Sequence, residues 1–387
     1  MNNNSKQRGE VSLIVVIFAT LLITIVVVSY VRMMIQIQQQ ATATDLSQSA
    51  FDSAQVGVED AKRALLKWQA VCSGDPASAD ECTELTDIIK SSSLSQECNS
   101  AVNKLTDLSD ALGSGEIKVQ NGSIGNDLNQ AYTCVTINTQ TDDYLGVLEQ
   151  DASKLIPLVG ASNFDRIKIE WFSSKDLEGS NPNVDFSILG TPLLSTSNWP
   201  VNRPSIMRAQ LIQFNKADGF KLSDFDENLS ANATNNTHFL YPSASSGTSS
   251  FTSDGRKISK YEPTNAKCVN DALVEYKCFT ILVLPKNGDG HTQYLNLTSL
   301  YKSAHFRVKL FYDTTEVKFD GVQPSIDSTG RANDLFRRVE TRVQFINADF
   351  PYPQAAVDLT GNLCKDFTVT NDISGYSSSE SCDPSAD

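Results

Sequence analysis

Charged residues are missing from one long stretch of this chain, and histidine is scarce throughout. No Asp, Glu, Lys or Arg occurs between Val11 and Val31, and the 387 residues include only 3 His. The sequence has no H-E-x-x-H, G-x-S-x-G, P-loop or G-x-G-x-x-G motif, so the common signatures of metalloproteases, serine hydrolases and nucleotide-binding enzymes are absent. Because catalytic triads are recognised by geometry, a tethered surface hydrolase stays open as an alternative. We expect no catalytic residue, cofactor or metal.

The sequence also lacks any run of basic residues. Lys and Arg total 32 against 46 Asp and Glu, which gives a net charge of −14. Residues 1–32 hold Lys6, Arg8, Glu10 and Arg32, a local +2, so the rest of the chain carries −16. Such an acidic surface repels phosphate backbones at long range. We therefore expect no nucleic acid among the partners.

The uncharged stretch from Val11 to Val31 predicts a transmembrane helix. Its 21 residues reach about 32 Å at ~1.5 Å per residue, enough to cross the hydrocarbon of a bilayer. Hydroxyl side chains alone interrupt the apolar run: Ser12, Thr20, Thr24 and Ser29. A buried core helix would show a clearer polar face. Lys6 and Arg8 precede the span and favour a cytoplasmic N-terminus, which places the C-terminus outside.

A cleaved secretory signal is the alternative that the same features leave open. It too has a basic start and an apolar stretch, and Ala41-Thr42-Ala43 resembles its cleavage site. However, the apolar run exceeds the ~7 to 15 residues of a signal core, and Gln36 to Gln40 separate the run from that site. We therefore favour a retained anchor.

A helical stripe continues beyond the span as far as Trp68. Its members are spaced by 3 or 4 residues: Leu46, Ala50, Ala54, Val58, Ala61, Leu65 and Trp68, with Phe51 beside them. Charged residues fall off this stripe: Asp45, Asp52, Glu59, Asp60, Lys62, Arg63 and Lys67. Only Gly57 weakens the pattern, by about 1 kcal/mol relative to Ala. We expect one helix over residues 10–72, with its first half in lipid and its amphipathic second half packed on a folded head.

The start of the chain resembles type IV pilins and pseudopilins. Lys6-Gln7-Arg8-Gly9 followed by Glu10 is similar to the basic leader of that family, and residues 49–61 resemble a stretch of large PilX-type minor pilins. The resemblance, carried mainly by residues 5–70, implies that a prepilin peptidase cuts after Gly9. It also implies that the apolar helix later bundles with the helices of other pilin-like subunits in a filament.

One position departs from the family pattern. Major pilins have Glu at the fifth mature position, which is Ile14 here when the chain begins at Glu10. In the family that carboxylate neutralises the amino terminus of a neighbouring subunit, a pairing favoured in lipid-like surroundings. In this missing Glu and in its length, the chain resembles the minor subunits of the family, which initiate or cap the fibre. A single-pass anchor carrying an extracellular binding or sensor domain is the alternative.

The cysteines predict disulfides. All 8 Cys lie beyond the span, and an even count there is typical of an oxidising compartment. Neighbours along the chain would close small loops: Cys72 with Cys82, Cys98 with Cys134, Cys268 with Cys278, and Cys364 with Cys382. Zinc is the competing interpretation, but the separations and the absence of nearby His pairs do not match zinc-ligand spacing.

Alternating apolar and polar residues predict antiparallel strands in the body. The clearest lie at residues 167–171, 306–310 and 339–345, with further candidates at 132–137, 206–214, 276–284 and 316–319. Helical spacing at residues 85–89 and 94–112 precedes them. The expected fold class is α+β, with the long helix packed on an antiparallel sheet as in pilins. We divide the chain into a leader (1–9), the helix (10–72, with 11–31 in the membrane), an ectodomain of one or two subdomains (73–350) and a C-terminal extension (351–387).

Two polar segments are expected on the surface. Residues 226–254 are rich in Asn, Ser and Thr and predict a long loop, and residues 371–387 predict a tail. An adhesive role and a solvated linker both stay open, and we favour the linker. Residues 287–290 and 224–228 offer oxygen ligands for calcium, but neither completes a spaced calcium loop, so turns are favoured.

Overall fold

The computed structural model describes most of the chain. The described residues are 7–72, 79–93, 98–106, 115–119, 129–179, 183–185, 195–215, 236–244, 248–250, 264–284 and 291–344, with the side chains of the first helix described from Leu13 onward. The chain divides into two compact units. Unit 1 comprises Met1–Asn138 and Ser325–Thr341, and unit 2 comprises Thr139–Pro324 and Arg342–Asp387.

Unit 1 is built on one very long helix. The helices are α1 (Gln7–Cys72), α2 (Ala79–Ser92) and α3 (Ser100–Thr106). The 66 residues of α1 extend about 99 Å at ~1.5 Å per residue. No Pro occurs within α1, and its docked half is rich in Ala, the residue with the highest helix propensity. The prediction of a long N-terminal helix with an apolar first half is confirmed.

The strands follow in chain order. Among the described residues they are β1 (Ile117–Lys118), β2 (Gln130–Thr141), β3 (Tyr144–Leu148), β4 (Ser153–Pro157), β5 (Arg166–Ser173), β6 (Ile206–Asn215), β7 (Asn236–Ser243), β8 (Thr248–Ser250), β9 (Thr264–Cys268), β10 (Tyr276–Val283), β11 (His291–Leu300), β12 (Ala304–Tyr312), β13 (Thr315–Val317), β14 (Phe319–Ala332) and β15 (Leu335–Arg342). They form a 4-stranded sheet, ordered β1-β2-β14-β15, and an 11-stranded sheet. The chain is therefore α+β.

The larger sheet belongs to unit 2 and is mixed. Its order is β13-β12-β5-β10-β9-β7-β6-β11-β4, with β3 also pairing β12 and β8 also pairing β10. Most pairs are antiparallel, as predicted, but β7 pairs with β9 in parallel and so does β8 with β10. A parallel pair needs a long connection between its strands, and residues 244–263 supply it for β7 and β9.

The predicted surface loop at residues 226–254 is wrong in part, because β7 lies inside the large sheet between β6 and β9. Leu240 of β7 is fully buried and pairs with Met207 of β6. The aromatic residues Phe239 and Tyr241 favour a strand here, although the surrounding Asn and Ser do not. Residues 216–235 and 251–263 lie outside the described part of the chain.

The core of unit 2 lies on one face of this sheet. Phe306, Val308 and Leu310 of β12 alternate with half-buried polar residues and pack beside Ile167 and Ile169 of β5. Alternation of this kind places one set of side chains on each face of the sheet. The strands predicted at residues 167–171 and 306–310 therefore contribute to the core through their apolar members.

The opposite face of β5 and β12 carries ion pairs. The guanidinium Nε of Arg307 donates to Oε2 of Glu170 at 2.6 Å, and Nζ of Lys168 lies 2.8 Å from Oε1. Burial alone would raise the pKa of Glu170, but the hydrogen bonds from Arg307 and Lys168 outweigh burial and lower it. Since the folded pKa lies below the unfolded value near 4.5, this carboxylate stabilises the fold above that pH, and its contribution is lost as the pH falls through the folded pKa.

Glu170→Gln should therefore destabilise unit 2 by about 2 kcal/mol near neutral pH, because it weakens two charge-assisted hydrogen bonds. The difference from the native chain should shrink as the medium is acidified below the folded pKa of Glu170. Denaturant unfolding across a series of pH values measures it. Glu316→Gln is the control, because the side chain of Glu316 is 41% exposed whereas that of Glu170 is 7% exposed. Parallel pH profiles for native chain and Glu170→Gln would contradict the prediction.

Candidate membrane and assembly surface

The apolar side chains in the first half of α1 are exposed, and we call this segment, Leu13–Ile37, the bare half. Between Leu13 and Ile37 the large apolar side chains are 48–66% exposed, and none of the most apolar window of the helix is buried. A contiguous apolar surface of this size is unfavourable in water and marks a surface that contacts lipid or other protein. This helix is long and apolar enough to cross a membrane.

The three Ser and Thr hydroxyls within the bare half already donate to carbonyls of the helix. Thr20 donates to the carbonyl of Ile17 at 2.9 Å, and Ser29 donates to the carbonyl of Ile25 at 2.8 Å. Thr24 likewise donates within the helix. Polar groups in hydrocarbon must be satisfied internally, since no water competes for them there. The three hydroxyls are therefore compatible with lipid.

The second half of α1 is docked on the sheet of unit 1. Five residues of the predicted stripe are buried: Ala50, Ala54, Val58, Ala61 and Leu65. Leu46 and Trp68, at the ends of the stripe, are half-buried, whereas Phe51 is 38% exposed. Small side chains on the docked face allow the helix and the sheet to approach closely.

Two glycines mark the closest approach. A Cβ on Gly57 would lie 2.8 Å from Cγ2 of Val135 and even closer to Oγ of Ser328. A Cβ on Gly330 of β14 would collide with the carbonyl oxygen of Ala50 and the amide nitrogen of Ala54. From sequence alone, Gly57 is only a weak point in the helix and Gly330 has no evident role. Both glycines let α1 lie directly against the sheet.

Asp60 lies on the packed face of α1, where the helical stripe does not predict it. The helical pattern predicts that Asp60 lies off the packed face, yet it is 6% exposed. The hydroxyl of the fully buried Tyr132 donates to Oδ2 of Asp60 at 2.9 Å, and Nη1 of Arg63 lies 3.2 Å from Oδ1. Burial, reinforced by Asp60, raises the pKa of Tyr132, so its hydroxyl remains a donor. A carboxylate can enter this interface because it finds hydrogen-bond partners there.

Tyr132→Phe should lower the free energy of unfolding of unit 1 by about 1 to 3 kcal/mol, because it leaves a buried carboxylate oxygen without its donor. Denaturant unfolding with a helix-sensitive probe measures the loss. Arg63→Gln is the matched control: it removes the other partner of Asp60, but the side chain of Arg63 is 73% exposed, so the cost should stay below ~1 kcal/mol. Equal losses for the two variants would show that the Tyr132 hydroxyl has no special role.

Disulfides and one indole hold the end of α1 in place. Cys72 at the end of α1 is bonded to Cys82 of α2, and Nε1 of Trp68 donates to Oγ1 of Thr86 at 2.9 Å. A second bridge joins Cys98 to Cys134 of β2. The docked half of α1 is thus linked covalently to α2, and α2 packs on α3.

The cysteine pairs in the structure are those between neighbours along the chain. Besides the two bridges of unit 1, Cys268 of β9 is bonded to Cys278 of β10, and these residues are register partners. Cys364 and Cys382 lie outside the described residues. Three disulfides in one chain are typical of an oxidising, extracytoplasmic compartment.

The predicted processing site lies at the start of α1. The helix begins at Gln7, three residues before Glu10, so Gly9 and Glu10 both lie in its first turns. Their side chains lie outside the described part of the structure. The two calcium candidates at residues 224–228 and 287–290 and the tail at 371–387 are also outside it.

The described histidines include one ordered pair with a carboxylate. Nδ1 of His305 lies 2.6 Å from Oδ1 of Asp176, and Asp176 also accepts from the amides of Ser173 and His305. A catalytic triad would need a nucleophilic hydroxyl or thiol hydrogen-bonded to the other ring nitrogen of His305. Within the described residues, no hydroxyl or thiol forms that hydrogen bond, and no group of three or more His, Cys, Asp or Glu could hold a metal ion.

Comparisons with known proteins assign no function to this chain, so its function must be inferred from its own geometry. No protein-family model, curated protein or solved structure matches this chain. Three features of α1 bear on function: a bare apolar half, a half docked through glycine and alanine contacts, and a disulfide at its end.

Proposed function

We propose that this chain is a minor pilin-like structural subunit of a type IV pilus or related filament, and that it initiates or caps the fibre. The observation that carries the proposal is the division of α1 into a bare half, Leu13–Ile37, and a docked half that follows without a break. A simple tether needs only the bare half. The continuous docked half adds a rigid connection between the apolar surface and the folded head.

That connection gives the helix a mechanical role. Ala50, Ala54 and Leu65 are fully buried, and the bridge from Cys72 to Cys82 holds the end of the helix. Moving the bare half therefore moves unit 1 with it. Once out of lipid, the bare half needs another apolar cover, because its exposed side chains are unfavourable in water. The helices of other pilin-like subunits would supply that cover.

Charge and redox chemistry support one orientation of the chain in the membrane. Lys6 and Arg8 favour the cytoplasmic side, and the disulfides favour the outside. The Gly9–Glu10 bond would then lie at the cytoplasmic membrane face, where a prepilin peptidase acts on its substrates. Processing there would leave a chain that begins at Glu10.

The position of Ile14 favours the end of a fibre over its shaft. Ile14 is an apolar, 53% exposed side chain at the fifth mature position, so it offers no carboxylate to the amino terminus of a neighbouring subunit. An unpaired amino terminus in lipid-like surroundings is costly. A subunit with no neighbour above it avoids that cost.

N-terminal sequencing of the chain recovered from cells tests the proposal. We expect a mature chain that begins at Glu10, and we expect Gly9→Leu to retain residues 1–9 while the control Asn4→Leu is processed normally. A native chain that retains Met1 overturns the filament function and favours a single-pass tether carrying a binding or sensor domain.

A further inference from the structure

The uncharged run fixes how deeply α1 enters the bilayer. Its 21 residues, Val11–Val31, reach about 32 Å, close to the ~30 Å of the hydrocarbon. Charged residues flank the run, Glu10 on the inner side and Arg32 on the outer side. A guanidinium avoids hydrocarbon and reaches the lipid headgroups with its long side chain. Arg32 therefore marks the outer end of the inserted part, and the residues after it lie beyond the hydrocarbon.

Large apolar side chains continue beyond Arg32. Four of them are 49–59% exposed: Met33, Met34, Ile35 and Ile37. Successive residues of an α-helix are about 100° apart around its axis, so Met33, Met34 and Ile37 share one face with Tyr30, which is 66% exposed. Ile35 points to the opposite side of the helix. We call Tyr30, Met33, Met34 and Ile37 the collar face, and an exposed apolar face of this kind favours contact with another apolar surface.

The collar face is turned away from the docked face of α1. At ~100° per residue, the buried residues of the docked half lie about 120° around the helix axis from it: Ala50, Ala54, Ala61 and Leu65. The sheet of unit 1 packs on that docked side, so the collar side stays open to a second helix. The spacing of Tyr30, Met33 and Ile37 by three and four residues is that of a coiled-coil seam. The next two positions in this spacing, Gln40 and Thr44, are polar, so the apolar seam ends after Ile37.

We propose that the collar face binds the same face of a second copy of this chain, with the two helices parallel and related by a twofold axis along them. Each copy holds the same uncharged run in the same bilayer, so the collar faces of two copies lie at equal height. A twofold contact brings a face against itself, and methionine adapts well to an irregular apolar partner. Arg32 lies about 150° around the axis from the centre of the collar face, so the two guanidinium groups are not opposed. The contact rests on the insertion of α1 in lipid, which is part of the proposed function.

Single added cysteines in the full chain test the pairing. Ile37→Cys, on the collar face, and Ile35→Cys, on the opposite face, are reconstituted separately in phosphatidylcholine vesicles that contain no other protein. Ile35 is a matched control, because it is also an isoleucine of the same helix and is 49% exposed against 57% for Ile37. After mild oxidation, non-reducing electrophoresis measures the disulfide-linked dimer, and the parent chain supplies the background of its 8 native Cys.

The two variants separate the pairing from the anchor. We expect a cross-linked dimer for Ile37→Cys and about tenfold less for Ile35→Cys, because a disulfide needs Cα atoms within ~7 Å of each other. Adding Met33→Lys to Ile37→Cys should lower the yield about tenfold, because like charges then meet across the contact. Equal yields for Ile35→Cys and Ile37→Cys overturn the pairing. If neither cross-links while the chain resists extraction by alkaline carbonate, the anchor stands and the pairing alone is overturned. If carbonate extracts the chain, insertion fails, and the proposed function fails together with the pairing.

Discussion

Replacing Gly330 with Ala is expected to detach the docked half of α1 from the sheet of unit 1. The added Cβ would collide with two backbone atoms of the helix, the carbonyl oxygen of Ala50 and the amide nitrogen of Ala54. A flexible side chain could turn away, but helical backbone atoms are fixed by the hydrogen bonds that they make. Overpacking of this kind costs about 3 kcal/mol or more.

The loss should be measurable in two ways. Denaturant unfolding should show a lower free energy of unfolding for unit 1, and the amides of residues 46–68 should exchange faster with solvent because local opening becomes easier. Gly115→Ala is the control within the same unit: Gly115 has a positive φ of 75° but no atom near its missing Cβ, so its cost should stay near ~1 kcal/mol. Equal losses in the two variants would show that close packing at Gly330 does not hold the helix.

Part of this architecture could be predicted from local sequence alone. The apolar run and the stripe from Ala50 to Leu65 repeat with the period of a helix, so they identify α1 without any knowledge of its neighbours. The strands around Ile169 and Val308 alternate with period two, so they too can be identified without knowledge of their neighbours. Periodicity shows which face of an element is apolar.

Periodicity does not show how closely two elements approach. The features that the sequence does not predict are therefore those that depend on close contact between distant segments. Gly330 is informative only when Ala50 is known to lie opposite it. Asp60 resembles a solvent-facing carboxylate until Tyr132, 72 residues away, is placed beside it. The Asn-rich surroundings of β7 predict a loop, and the strand forms because β6 and β9, which lie on either side of it in the sheet, supply its hydrogen bonds.

An Arg in the middle of the bare half should remove the chain from the membrane. Ile23 lies near the centre of the apolar run and is 62% exposed, so no protein group in its own chain covers a charge placed there. Insertion of Arg at the centre of a transmembrane helix costs about 3 kcal/mol, and hence shifts the insertion equilibrium roughly 100-fold. Ile23→Arg should therefore be extracted by alkaline carbonate, while the native chain stays with the membrane.

The control for this experiment is a charge outside the apolar run. Gln38→Arg places the same side chain one residue beyond Ile37, where it can reach the lipid headgroups and should leave the chain in the membrane. The same Ile23→Arg change should exclude the chain from a filament, because a bundle of apolar helices solvates a guanidinium no better than lipid does. If Ile23→Arg resists extraction as fully as the native chain does, the bare half is not held in hydrocarbon. Its apolar surface must then be covered by protein, and unit 1 owes its attachment to something other than this helix.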